Sequence, residues 1–138
     1  MEKVKKTEAD WRAELTPERH KILREAGTEQ PFTGLYNDAK RDGAYLCAGC
    51  GLELFHSDTK FDSGSGWPSF WDPHSDANVE LRPDNSVLMS RTEVVCARCE
   101  GHLGHVFDDG PQPTGQRYCI NSAALMHESD SESGSDEE

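Results

Sequence analysis

The 138-residue chain predicts a mostly β domain with a short helical cover at its N-terminus and a structural zinc site, and three observations carry that prediction. Brief β-prone runs separated by turn clusters fill the chain from Tyr45 onward. Helix signals are confined to the first quarter. Four of the five cysteines form two Cys-x-x-Cys pairs, Cys47/Cys50 and Cys96/Cys99.

The helical signals come first. Thr7-Glu8-Ala9-Asp10 has the pattern of a capping box, and Thr16-Pro17-Glu18 opens a second helix that Gly27 is expected to close. The expected strands then run over Leu52 to Phe55, Val79 to Leu81, Val87 to Met89, Glu93 to Cys96, His105 to Phe107 and Arg117 to Ile120. Arg82-Pro83-Asp84-Asn85, Asp108-Asp109-Gly110-Pro111 and Pro113-Thr114-Gly115 read as turns. The expected domain spans residues 7–127, and an acidic, solvated tail follows over 128–138.

Hydrophobic content of 34% is low for a chain with a large core. A small core gains from a metal staple, because the binding energy of such a site is folding energy. Four thiolates suit a closed tetrahedral zinc ion, so Cys47, Cys50, Cys96 and Cys99 are the expected ligands. The 45 residues between Cys50 and Cys96 exceed the roughly 15 to 20 of a compact ribbon, so the rest of the domain lies between the knuckles. A redox dithiol at the start of a helix is the competing reading, and neither pair has that setting.

The formal charge of −12 includes six acids and no base in Glu128 to Glu138, leaving 20 acids against 14 bases elsewhere. A negative body with no basic stripe argues against a nucleic-acid partner. No signal-peptide pattern and no apolar run long enough for a bilayer are seen, so the expectation is a cytoplasmic protein with no membrane partner. A reducing compartment also suits free thiols.

If zinc takes four cysteines, chemistry falls to Cys119 in Arg117-Tyr118-Cys119-Ile120-Asn121. A reactive thiolate needs a cationic or hydrogen-bonding neighbour, and His102, His105 and Arg117 are available. A strand over these residues puts Arg117, Cys119 and Asn121 on one face. Each also has a plainer reading: Cys119 as a small buried residue, and the two histidines as completing a metal site. Gly64-Ser65-Gly66-Trp67-Pro68-Ser69-Phe70-Trp71 is an aromatic loop whose rings either wall a pocket or fill the core.

Gly66-Trp67-Pro68-Ser69-Phe70, His102-Leu103-Gly104-His105-Val106-Phe107-Asp108-Asp109-Gly110, Pro113-Thr114-Gly115 and Arg117-Tyr118-Cys119-Ile120-Asn121-Ser122 together resemble the B-type methionine-R-sulfoxide reductases. The resemblance runs from about Thr7 to Ala124. It implies two antiparallel sheets, a structural zinc, and reduction of the R epimer of methionine sulfoxide in oxidised proteins or peptides, a repair reaction of oxidative stress. Cys119 is then the nucleophile and ends as a sulfenic acid. His102 and His105 hold the sulfoxide oxygen and supply its proton, Trp67 packs the S-methyl group, Asn121 orders the site and Arg117 favours the thiolate. A thioredoxin-like or small-thiol reductant is implied. Ser63 and Ser65 stand where many members carry a resolving cysteine. A zinc-stapled binding module and a cysteine hydrolase are the other classes the residues leave open.

Overall fold

The computed structural model describes residues 2–37, 42–84 and 91–130. Helix α1 (Glu8–Glu14) is opened by Thr7, whose side chain accepts from the Asp10 amide while the Asp10 carboxylate accepts from the Thr7 amide, so the expected capping box is present. Helix α2 (Pro17–Glu25) follows its Thr16 cap. The left-handed residue that ends it is Ala26 (φ 53°) rather than Gly27, whose amide instead donates to the Lys21 carbonyl at 3.0 Å.

Among the described residues nine strands follow: β1 (Ala44–Cys47), β2 (Glu53–His56), β3 (Lys60–Phe61), β4 (Ser69–Phe70), β5 (Val79–Asp84), β6 (Arg91–Cys96), β7 (His102–Phe107), β8 (Arg117–Ile120) and β9 (Leu125–His127). They form two antiparallel sheets, one in the order β2-β1-β9 and the other in the order β3-β4-β8-β7-β6-β5. Arg117–Ile120 falls where the alternation places it. Of the turn expected at Arg82-Pro83-Asp84-Asn85, the first three residues are instead the end of β5, with Pro83 opposite Thr92, and Asn85 lies outside the described residues. β5 is an edge strand, where a residue without an N–H is tolerated. The strand expected over Val87 to Met89 lies outside the described residues.

The core lies between the sheets. Phe55 of the smaller sheet stacks on Phe70 of the larger at 4.5 Å, and Tyr45 meets Phe70 edge-on at 5.4 Å. Of the aromatic loop, therefore, Phe70 belongs to the core, whereas Trp67 and Trp71 are only half-buried. At the far end, the Glu128 carboxylate accepts the Ala44 amide at 3.0 Å and the Tyr36 hydroxyl donates to Asp130 at 2.6 Å. Contacts to the body thus extend through residue 130. Among the described residues no helix is long and apolar enough to cross a membrane.

Candidate functional site

Each Cys-x-x-Cys is the turn of a hairpin, and the two hairpins belong to different sheets. Cys47 and Cys50 lie in the β1–β2 connection, where the Cys47 amide donates to the Leu52 carbonyl at 2.8 Å. Cys96 and Cys99 lie in the β6–β7 connection, where the Cys96 amide donates to the Gly101 carbonyl at 2.9 Å. The residue after each second cysteine has positive φ, Gly51 at 83° and Glu100 at 65°, and returns its amide to the first cysteine's carbonyl at 2.8 Å. The knuckles therefore share one backbone form, although only one contains the glycine that makes it unstrained.

All four sulfurs lie within 4.8 Å of one another, with Cys47 to Cys99 at 3.7 Å and Cys50 to Cys96 at 3.5 Å. A tetrahedron of thiolates about 2.3 Å from a zinc ion has edges of about 3.8 Å, so the donor set fits. Both of these sulfur contacts run from one sheet to the other, so a metal held here would clip the two sheets together. The Gly49 amide points at the Cys47 sulfur at 3.4 Å, as expected of a structural thiolate. Helices α1 and α2 cover the cluster: Arg24 donates to the Cys99 carbonyl at 2.9 Å, and Leu23 and Trp11 pack beside Gly49.

Cys119 is elsewhere, on β8 near the middle of the larger sheet. Strand register lines up a row across that sheet: Arg82 faces Glu93, Glu93 faces His105, His105 faces Cys119 and Cys119 faces Ser69. His102 and His105 are three apart and in a regular strand would face opposite sides. A bulge in β7 resolves this. Val94 pairs with Gly104 but Val95 pairs with His102, leaving Leu103 unpaired and turning both imidazoles to the same face. Their ring centroids are 5.4 Å apart.

The face holds a pocket of about 370 Å³ whose lining includes Cys119, His105, Asn121, Arg117, Trp67 and Ser65. His102 stands behind His105, its Nδ1 2.7 Å from Glu93 and its Nε2 buried without a hydrogen-bond partner among the described residues. Nε2 of His105 is 2.7 Å from Asp84, which also accepts from Arg91 at 3.3 Å. Asn121 is fixed at both ends: its Nδ2 donates to the Leu103 carbonyl at 3.0 Å and its Oδ1 accepts the Glu29 amide at 3.0 Å. The Glu29 carbonyl in turn accepts Trp67 Nε1 at 3.0 Å. Gly66 (φ 92°) permits that arrangement, because a Cβ there would lie 2.6 Å from Pro31 and 2.8 Å from the Phe32 amide nitrogen.

Burial pushes the Cys119 thiol up, with Ser65, Arg117 and Ser69 pulling it back in part. Burial likewise lowers His105, against the carboxylate of Asp84. Arg117 is shared: its guanidinium forms a fork on Asp109 at 2.8 and 3.2 Å and lies 4.4 Å over the Phe107 ring.

The structure brings Cys119, His105, Asn121, Trp67 and Arg117 to one pocket, sets His102 just behind it, and groups Cys47, Cys50, Cys96 and Cys99 apart. Sequence reasoning missed Asp84, Glu93 and Arg91, which hold the histidines and reach them only through strand register. It also missed the segment around Thr28 and Glu29, whose contribution is mostly backbone and has no side-chain signature.

Comparison with known proteins gives a consistent result. The SelR domain family matches residues 15–129. The chain is 56% identical over 136 residues to the peptide methionine sulfoxide reductase MsrB of Methanosarcina mazei, covering 99% of this chain and 97% of that protein. It is 52% identical over 139 residues to the protein of the same name from Hahella chejuensis, covering all of both. With that of Bradyrhizobium diazoefficiens it shares 59% identity over 127 residues, 92% of this chain and 91% of the relative. With two sheets clipped at four cysteines, a fifth cysteine in a histidine-flanked pocket and identity above half along nearly the whole length, the chain belongs to the SelR domain family.

Proposed function

We propose that this chain reduces methionine-R-sulfoxide in peptides and proteins to methionine, with Cys119 as the nucleophile. The observation that carries the reading is the placement of Cys119, half-buried at the pocket beside His105 and Trp67, while the sulfurs of the other four cysteines cluster within 4.8 Å of one another. In the net step one oxygen passes from substrate sulfur to Cys119. The substrate is reduced by two electrons, Cys119 is oxidised to a sulfenic acid, and the thiol's proton remains on the transferred oxygen.

Trp67 supplies the apolar wall for the S-methyl group. His105 and His102 supply polar nitrogens for the sulfoxide oxygen, oriented by Asp84 and Glu93. Asn121 ties β8 to β7 and to the segment that holds the Trp67 indole. Arg117 acts on Cys119 by its charge, opposing the burial that disfavours a thiolate. Zinc on Cys47, Cys50, Cys96 and Cys99 is structural, since four thiolates leave no open position. The protein works in the cytoplasm on oxidised proteins, and a thioredoxin-like protein or small thiol returns Cys119 to the thiol. A non-catalytic binding module gives no account of a lone thiol at the pocket.

The test is an assay with the two sulfoxide diastereomers. The R epimer should be consumed, the S epimer left, and Cys119→Ser should abolish turnover with metal content intact. Normal turnover by Cys119→Ser would refute the nucleophile.

A further inference from the structure

Three serines lie in one hydrogen-bonded line that ends on Cys119. Ser65 Oγ is 3.6 Å from the Cys119 sulfur, Ser63 Oγ is 2.7 Å from Ser65 Oγ, and Ser69 Oγ is 2.7 Å from Ser63 Oγ. Ser69 Oγ also lies 3.1 Å from the Trp67 carbonyl. A carbonyl only accepts, so in this arrangement Ser69 is the donor there and must accept from Ser63. Each hydroxyl has one hydrogen to give. The line then has a single direction: Ser63 donates to Ser69, Ser65 donates to Ser63, and the Cys119 S–H donates to Ser65. This arrangement suits a neutral thiol.

A thiolate has no hydrogen to give. With Cys119 ionised the hydroxyls turn over: Ser65 donates to the sulfur, Ser63 to Ser65 and Ser69 to Ser63, and the Trp67 carbonyl loses its donor. No proton travels along the line; the proton of Cys119 goes to the substrate oxygen or to water, and the serines rotate.

We propose that Ser65, Ser63 and Ser69 form a hydroxyl rotor that reverses its donor direction with the ionisation of Cys119, making Ser65 the positioning residue that supplies a hydrogen bond to the reacting thiolate. The proposal deepens the reading of Cys119 as the reacting group and rests on it. It makes the two hydroxyls nearest the sulfur act in opposite senses. Loss of Ser65 removes the donor 3.6 Å from the sulfur, leaving Ser69 as the other hydroxyl that favours the thiolate. Loss of Ser63 removes the acceptor that holds the Ser65 hydrogen away from the sulfur, and it frees Ser69 to keep the Trp67 carbonyl in both states.

The other charged and titratable groups on the face of Cys119 are Arg117 on its own strand, tied to Asp109, His105 on β7, tied to Asp84 of β5, His102 behind it, tied to Glu93 of β6, and Arg91 of β6. Neither serine substitution alters them. The experiment is the rate of Cys119 alkylation by iodoacetamide against pH, read by peptide mass spectrometry on the full metal-bound chain, and it needs no turnover. Ser65→Ala should move the midpoint up by about one pH unit, near a tenfold loss of alkylation rate at pH 7, the size expected for one hydrogen bond to a charged group. Ser63→Ala should move it down. Midpoints that shift the same way in both variants, or stay in place, overturn the rotor. Opposite shifts in a protein that leaves both sulfoxide epimers untouched would keep the rotor and sink the reductase reading, so the two failures are distinguishable.

Discussion

Ser65→Cys would add a resolving thiol where the fold has left a hydroxyl. The Ser65 Oγ to Cys119 Sγ distance is 3.6 Å, so reaching a disulfide length of about 2.05 Å requires an approach of roughly 1.5 Å. The backbone has room for it on the Gly64 side, where Gly64 (φ 76°) has nothing within 4 Å of where a Cβ would stand, while Gly66 on the other side is packed against Pro31 and Phe32. The bond would close a loop of 55 residues, for which the chain-entropy model gives at most about 4 kcal/mol of stabilisation before strain. A tethered thiol acts at an effective concentration in the millimolar range, so it should outrun external thiols present at micromolar levels. After one equivalent of sulfoxide without added reductant, the wild-type chain should stop near one product and be labelled at Cys119 by a sulfenate-trapping reagent. Ser65→Cys should instead escape the label and show a 65–119 disulfide, a loss of about 2 Da relative to the dithiol by mass spectrometry. A labelled, disulfide-free variant would refute the inferred approach of the loop to Cys119. A disulfide from wild-type Cys119 to a knuckle cysteine would refute the separation of metal and nucleophile.

Both shifts at the pocket bear on pH dependence. Burial lowers His105 from its ordinary 6.5 and raises Cys119 from its ordinary 9.0. Reaction needs one proton shared between them, so kcat/KM should fall only below pH 6.5, when both are protonated, and only above pH 9.0, when neither is. A sharp optimum with both limbs between those values would contradict the assignment. Removal of the metal should cost the fold as well as activity: structural zinc sites contribute about 10–16 kcal/mol, against a total stability of about 5–15 for a typical domain. Cys47→Ser should therefore lose metal by elemental analysis and lose near-ultraviolet dichroism together. A metal-free, folded and active preparation would show that the sheets hold without the clip.

What could be read from sequence was whatever repeats at short range. Arg117, Cys119 and Asn121 share a face because alternation is local, and Cys-x-x-Cys announces a knuckle by its spacing. The rest depends on pairing between distant segments. Asp84 reads as part of a turn because Pro83 precedes it, and only its place on an edge strand beside Arg91 brings its carboxylate to His105. His102 and His105 look like a pair in sequence, but their common face depends on the bulge at Leu103, which no residue type there announces. β3, β4 and β9 are two or three residues long and too brief for any period to show.

The four-cysteine cluster and the pocket are separate in the fold but joined in backbone. The knuckle that holds Cys96 and Cys99 is the turn from β6 into β7, and it delivers the chain at Gly101 directly into His102. The Cys96 amide bonded to the Gly101 carbonyl closes that turn, and three residues back along β6 Glu93 holds the imidazole of His102. Loosening the knuckle therefore loosens the start of β7 and the bulge that sets both histidines on the pocket face. Cys119 is less exposed to that change, since β8 is held by β4 on one side and β7 on the other. Strain at the Cys96/Cys99 knuckle should accordingly displace His102 and His105 before it displaces Cys119, and Cys119 should remain open to alkylation after sulfoxide turnover has declined.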